Sequence, residues 1–394
     1  MDIITISHMF PTKEKPHYGN FVQDQLLELD KYVNSNTVVI PKPYFPILRN
    51  LSYMDNLNSE LFFKYYSLAN NTNIIYTKYL SLPRKLLFNQ SGILMYINFL
   101  KNVRHNFNEV DLIHAHVALP DGQFAMKLNE KYNCPYIVTV HGQDMQVTIK
   151  NKGRKRIIHD ILSKSKGIIF VSHKLENIFI KEFPEIASKR KFISIPNGYD
   201  KAYNLKQEKN FNNDLRIVSV SNLKASKGVL YNLMAIKLLQ DNGIKCKYEI
   251  IGDGPELANL KNYVQKNNIN DIKFHGFKEK NDIIKIFSKS DIFSLPSYEE
   301  GFGIAYLEAM ASGLPVISVI GEGITPYLPD NLKFEVRPKN YMDIYSKLMK
   351  YNDLSINEKI NLSNNVTSHV KLNYSWDLNA KKTFEFMLQS LEEN

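Results

Sequence analysis

The chain has 394 residues, 44% of them hydrophobic and 23% charged, with a formal net charge of +10. That length is too great for one ordinary core and fits two domains of roughly 200 residues each, and the composition excludes a disordered or fibrous protein. Two cysteines, Cys134 and Cys246, make neither a disulfide framework nor a metal cluster and read as small apolar packing residues in a reducing cytosol.

The chain opens with a strand-like run, Met1-Asp2-Ile3-Ile4-Thr5-Ile6, so no charged-then-apolar leader is expected. Further strands are expected at NTVVIP, DLIHAH, YIVTVHG, GIIFVS and KFISIPNG, with helices between them, for example over residues 20–31 and 122–131. A polar Asn/Lys/Glu stretch at 204–214 reads as a joint. The pattern then restarts with LRIVSVS, KYEIIGDG, IKFHGF, DIFSLPS and PVISVIG, again separated by helices. Continuous apolar strands with helical crossovers imply parallel sheets covered on both faces. Two such series predict two Rossmann-like, doubly wound α/β domains, 1–203 and 204–373. An amphipathic helix within 374–394, carrying Trp376, is expected to pack back on the first domain. No apolar run is long enough to span a bilayer, so a cytoplasmic protein is expected, free or peripheral at the inner face of the membrane.

Ligands of open parallel sheets bind outside the carboxyl ends of the strands. The segment 297–316, SYEEGFGIAYLEAMASGLPV, lies at such an end. Gly301-Phe302-Gly303 lets the backbone approach a ligand, and free N–H groups at the helix beginning near Ile304 attract phosphate. Glu300 in the turn can reach a polyol, and Glu308 can accept two hydroxyls. The pair suits a nucleotide sugar, one carboxylate for the sugar and one for the ribose. The plainer reading makes Glu300 a helix-start charge and Glu308 an exposed one. It fits Glu308 poorly, because Leu307 and Ala309-Met310-Ala311 flank it and an unpartnered carboxylate there is costly. His114 and His116, alternating along a strand, are expected to face opposite sides and so not to form a metal pair.

The Glu-x₇-Glu spacing within EGFGIAYLEAMASGLPV resembles the signature of the retaining glycosyltransferases of family four, and the resemblance covers most of the chain. FPTKEKPHYGNFVQDQ, HAHVALPDG, TVHGQD, IPNGYD, SNLKASKGV, IIGDGPEL and FHGF follow in the family's order. It implies the GT-B architecture, two Rossmann-like domains facing each other across a cleft. The implied activity moves a sugar from a nucleoside diphosphate to an acceptor hydroxyl with retention. No cofactor beyond that donor substrate is implied, and no metal, since no Asp-x-Asp motif is present.

The resemblance assigns Lys227, before Gly228, to the donor diphosphate. The family's neighbouring arginine is replaced here by Asn222, a missing cation worth roughly 1–3 kcal/mol against phosphate, for which Lys224 is a candidate substitute. Without the resemblance, Lys227 reads as a surface lysine beside a turn glycine. His141 is assigned to the transferred sugar, and Gly19 to a loop whose backbone nears the diphosphate. Glu256 and the His275-Gly276-Phe277 segment either flank the nucleoside or serve ordinary turns. Glu300, His141 and Lys227 are thus the catalytic candidates. Gly19, Asn222, Glu256, Phe277, Gly301, Phe302, Gly303, Ile304 and Glu308 complete the donor site.

The positive charge is uneven. Residues 1–200 hold 25 Lys and Arg against 17 Asp and Glu, which asks for an anionic partner of that half. Basic residues interleave with apolar ones in 83–105 and in 149–166, the latter with Arg154, Lys155 and Arg156. These segments read either as acceptor-binding or membrane-surface helices or as core helices with a solvated edge. No nucleic-acid motif accompanies the charge. The acceptor implied is a lipid-linked saccharide or another cell-surface glycan precursor. The alternatives are a nucleotide-sugar epimerase of the same architecture and a catalytically silent partner in a glycosylation complex.

Overall fold

The computed structural model describes residues 1–12, 18–44, 65–81, 87–103, 107–204 and 214–392. Most of the polar stretch at 204–214, part of the motif at 10–25 and part of the basic run at 83–105 lie outside them. The chain divides into two compact units, 1–197 with 376–394, and 198–375.

The first unit holds an eight-stranded sheet. In chain order its strands are β1 (Asp2–Ile6), β2 (Ser35–Tyr44), β3 (Tyr65–Ser67), β4 (Thr72–Leu80), β5 (Leu112–His116), β6 (Tyr136–Val140), β7 (Gly167–Phe170) and β8 (Lys191–Ser194). They are arranged β3-β4-β2-β1-β5-β6-β7-β8, and every pairing is parallel except β3 with β4. Residues of β5, β6 and β7 are buried throughout, as strands with helices on both faces must be. Between these strands lie the helices α1 (Asn20–Leu29), α2 (Ser91–Asn102), α3 (Gln123–Tyr132), α4 (Lys152–Lys164) and α5 (His173–Glu182).

Two strands, β3 and β4, were not expected. β4, TNIIYTKYL, mixes short polar and apolar blocks and lies next to the sheet's outer strand, so it shows neither a continuous apolar run nor a regular alternation. β2 also runs past Pro41 and Pro43 to Tyr44. Its pairing with β1 stops at Val39, so both prolines fall where only the β4 edge is bonded and their missing N–H groups break nothing.

The second unit carries β9 (Leu215–Val220), β10 (Cys246–Ile251), β11 (Ile272–Gly276), β12 (Ile292–Ser294), β13 (Val316–Val319) and β14 (Phe334–Val336). All are parallel, in the order β11-β10-β9-β12-β13-β14. The three-residue β14 is the addition, too short to show a period. The helices of this unit are α6 (Val229–Asp241), α7 (Leu257–Lys266), α8 (Lys280–Phe287), α9 (Ile304–Ala311), α10 (Tyr341–Asn352) and α11 (Ile356–Asn373).

The last helix, α12 (Trp376–Leu391), belongs to the first unit. Ala380, Phe386 and Met387 join the core built by Ile3, Val22, Leu26 and Leu29. Gln25 Nε2 of α1 donates to Asn379 Oδ1 at 2.6 Å, and Asn379 Nδ2 donates to the Pro196 carbonyl at 2.7 Å. The division falls at Asn197/Gly198 rather than at 203/204 because the intervening residues bond into the second unit. The Tyr199 N–H donates to the Tyr374 carbonyl at 3.2 Å, and Ser312 Oγ to the Tyr203 carbonyl at 3.1 Å.

Candidate functional site

In the second unit the loops after β11, β10, β9 and β12 lie side by side along one edge of the sheet. They carry, in that order, Phe277, Glu256, Asn222 and Glu300. The loops after β9 and β10 are laced by backbone bonds. The Leu223 N–H donates to the Asp253 carbonyl, and the Glu256 N–H to the Leu223 carbonyl, both at 2.9 Å. Asn222 and Lys224 are exposed, Glu256 is half-buried, and Phe277 is 58% exposed.

Lys227 ends a short helical turn after β9, and Gly228 caps α6. The Tyr298 N–H donates to the Ser226 carbonyl at 3.0 Å, which ties the turn after β12 to this one. Lys227 Nζ then donates to Glu300 Oε2 at 2.6 Å, with side chains only 16% and 13% exposed. Two residues distant in sequence and assigned separately are thus one ion pair, mostly shielded from water. The Glu300 N–H donates to Glu322 Oε2 at 3.0 Å, so a third acid borders the turn. Nothing local marked Glu322. It lies in the GEG turn after β13, and the folding of β13 beside β12 brings it in.

Gly303 caps α9 with φ of 85°, and a Cβ there would lie 2.5 Å from the Tyr306 ring and 3.1 Å from Glu300 Cγ. Glycine is required both by backbone sign and by space. Gly301 is half-buried in the turn and Ile304 opens the helix. The Phe302 ring is sunk between Tyr327 and Tyr374, at 5.4 and 6.1 Å, so residue 302 offers a ligand its backbone. Glu308 is half-buried beside Tyr203, whose hydroxyl pKa is raised by burial and by the Glu308 carboxylate. Ser221 Oγ and Ser297 Oγ are buried and have no protein hydrogen-bond partner among the described residues, leaving polar atoms at the ends of β9 and β12.

In the first unit, Gly19 caps α1 with φ of 80°, and its Cα packs so close to Met9 that a Cβ would lie 2.5 Å from that residue's carbonyl carbon. Phe21, in the first turn, places its ring 4.8 Å from that of His141 at the end of β6. His141 is half-buried, and desolvation, with His114 and His8 nearby disfavouring a further positive charge, pushes its pKa down to about 3.

His114 and His116 do not face opposite sides. Residues two apart on a strand share a face, and the two rings lie 4.4 Å apart, both buried. No group of three His, Cys, Asp or Glu among the described residues is placed to hold a metal ion.

A fourth imidazole stands near. His8, after β1, sets Nδ1 3.0 Å from both oxygens of the buried Asp121, and its backbone N–H donates to the same carboxylate. Burial lowers the His8 pKa, but the charge and hydrogen bond of Asp121 outweigh it and raise it overall. Asp144 is buried too, accepting the Ala118 N–H at 3.1 Å, and desolvation lifts its pKa to about 7. HAHVALPDG held Asp121 in plain view; its partner His8 lies 113 residues away, beyond any spacing rule.

On α4, Ile158, Ile161 and Leu162 are buried in the unit's own core, so the apolar face of that basic helix is occupied. Arg154 Nε donates to Asn89 Oδ1 and its guanidinium lies 4.9 Å from the Phe88 ring centroid. Lys155 pairs with Glu182 at 2.6 Å, and Arg156 is exposed. No helix of the described residues is long and apolar enough to cross a membrane.

Two doubly wound sheets, parallel but for the β3–β4 pair, with the candidate residues at their carboxyl ends, define the GT-B class of glycosyltransferases. Anabaena HepE, in a structure with UDP and glucose, superimposes with a TM-score of 0.70 at 14% identity over 98% of this chain and 99% of that one. Residues 200–367 match the glycosyl transferases group 1 model and residues 63–203 the glycosyltransferase family 4 model. A glycosyltransferase of Methanocaldococcus jannaschii is 30% identical over 284 residues, 70% of this chain and 75% of its own. TuaC of Bacillus subtilis, named for teichuronic acid biosynthesis, is 26% identical over 89% of each chain. The chain belongs to the family-four glycosyltransferases and is an enzyme of that kind. Neither the epimerase nor the silent-partner alternative finds support in these matches.

Proposed function

We propose that this glycosyltransferase moves a sugar from a nucleoside-diphosphate sugar to a hydroxyl of a lipid-linked saccharide or another cell-surface glycan precursor, with retention of anomeric configuration. The observation that carries the donor half is the shielded Lys227–Glu300 pair beside the glycine-capped start of α9. Lys227 and the N–H groups opening α6 and α9 meet the diphosphate, Glu300 the sugar and Glu308 the ribose. Asn222 brings no charge, so Lys227 and the helix starts carry most of the phosphate recognition.

In the reaction the bond from the anomeric carbon to the diphosphate oxygen breaks. The acceptor oxygen bonds that carbon on the same face, and the acceptor proton passes to the departing phosphate. Negative charge gathers on the leaving group, where a cation already held in place by Glu300 needs no reorganisation. The polysaccharide role is supported by relatives such as TuaC, and the choice of a uridine nucleotide by the UDP bound to HepE.

The test is incubation with a panel of nucleotide sugars, starting with UDP-sugars. Slow hydrolysis with release of nucleoside diphosphate is expected, and Glu300→Gln should lower its kcat/KM by about 100-fold or more. A Glu300→Gln chain with full activity would remove the assignment. Product anomers read by NMR decide retention.

A further inference from the structure

Thr139, His114, His116 and His141 form a chain of rings and hydroxyl at the ends of β5 and β6. His114 Nε2 lies 2.7 Å from Thr139 Oγ1, the His114 ring packs against His116, and His116 Nδ1 lies 3.0 Å from His141 Nε2. This last pair meets edge to edge. The ring planes differ by 15° and the centroids are 5.3 Å apart, little more than the nitrogen separation plus the two ring radii. That is in-plane N–H···N geometry, not stacking.

Burial keeps both rings neutral, so each carries one proton, and only one of the two facing nitrogens can be the donor. The choice is settled on the far side of His116. Its Nε2 is buried and has no hydrogen-bond partner among the described residues. A bare lone pair there costs less than a stranded N–H, since orphaned buried donors are the rarer defect. His116 therefore holds its proton on Nδ1 and donates it to His141 Nε2. His141 must then carry its own proton on Nδ1. Phe21, against the His141 ring, holds the orientation.

We infer that His116 is a positioning residue that fixes the tautomer of His141, so that His141 presents an Nδ1–H donor to a hydroxyl or phosphate oxygen of the substrate. The substrate part of this inference rests on the transferase reading above. The tautomer does not.

Histidine ring nitrogens labelled with ¹⁵N in the full chain separate the two. Long-range ¹H–¹⁵N correlation distinguishes a protonated ring nitrogen from a bare one, and His141→Gln identifies the His141 signals. The expected result is a protonated Nδ1 and a bare Nε2 on His141; the reverse pattern overturns the proposal. In the activity arm, His116→Asn keeps an amide nitrogen near the Nδ1 position, whereas His116→Gln reaches toward Nε2. His116→Gln and His116→Phe should lose about tenfold in kcat for donor hydrolysis, the worth of one well-placed hydrogen bond, with little change in KM. His116→Asn should stay within about twofold of the parent. Equal loss in the Asn and Gln variants would also overturn it. A parent chain that turns over no nucleotide sugar would sink the transferase reading, while the nitrogen signals still decide the tautomer.

Discussion

At the carboxyl end of the first sheet, burial strips charge from the imidazoles of His114, His116 and His141 and lifts Asp144 toward neutrality. At the matching end of the second sheet, Lys227 and Glu300 form an ion pair 2.6 Å long although both are mostly shielded. The same strand–loop–helix geometry hosts both. The difference is partnership: a desolvated group with no opposite charge sheds its own, and one with a close counter-ion keeps it. His8 shows the rule inside the first unit, since Asp121 raises its pKa while the rings nearby are pushed down. One sheet end therefore offers neutral donors and acceptors, suited to hydroxyls. The other offers a fixed cation and carboxylate, suited to a diphosphate and a polyol.

The largest effect should come from breaking the ion pair. Lys227→Ala removes the cation that lies 2.6 Å from the mostly shielded Glu300 carboxylate, which should cost on the order of 3 kcal/mol in urea unfolding and lower kcat/KM for the donor by about 100-fold or more. Adding Glu300→Gln should restore most of the stability and none of the activity. If the double variant is as unstable as Lys227→Ala, the pair is not the coupled unit described here.

A smaller effect tests the neutral rings. His114 has a folded-state pKa of about 3, below its ordinary 6.5, so the folded chain binds fewer protons than the unfolded one between those values. Stability from this ring is complete above pH 6.5 and is lost as pH falls toward 3, at about 1.4 kcal/mol per unit. Asp144 and His8, both raised, act with the opposite sign, so the wild-type slope is a difference of terms. His114→Gln can keep the bond to Thr139 without titrating. Unfolding midpoints at pH 7 and pH 5 should show its stability falling less steeply with acid than the parent's; identical slopes would contradict a buried neutral His114.

The smallest concerns the basic helix α4. Arg154→Ala removes one hydrogen bond and one cation–π contact, both partly exposed, and should cost about 1 kcal/mol or less. A loss several times larger would mean that Arg154 holds the segment at Phe88–Asn89 in place rather than decorating it.

Much of this was legible locally. The strand–turn–glycine–helix pattern around Glu300, the cap at Gly228 and the helix from Asn20 all depend on neighbours within a few residues, and backbone sterics enforce them there. The strands β3 and β4 and the three-residue β14 were not, because β3 and β14 are too short to show a period and the polar and apolar blocks of β4 follow none. The pairing of His114 with His116 was legible in principle and misread, since the period of a strand is two. Glu322 and the His8–Asp121 contact carried no local mark at all.

By itself, then, the sequence determined the two alternating α/β series and which loops lie at the strand ends, because hydrophobic period and capping are short-range properties. Only the tertiary structure decided which groups are charged and whom they hold. Lys227 meets Glu300 across 73 residues and His8 meets Asp121 across 113. The energy of a charge depends on water excluded and counter-ions brought near by packing, which no stretch of chain sets alone.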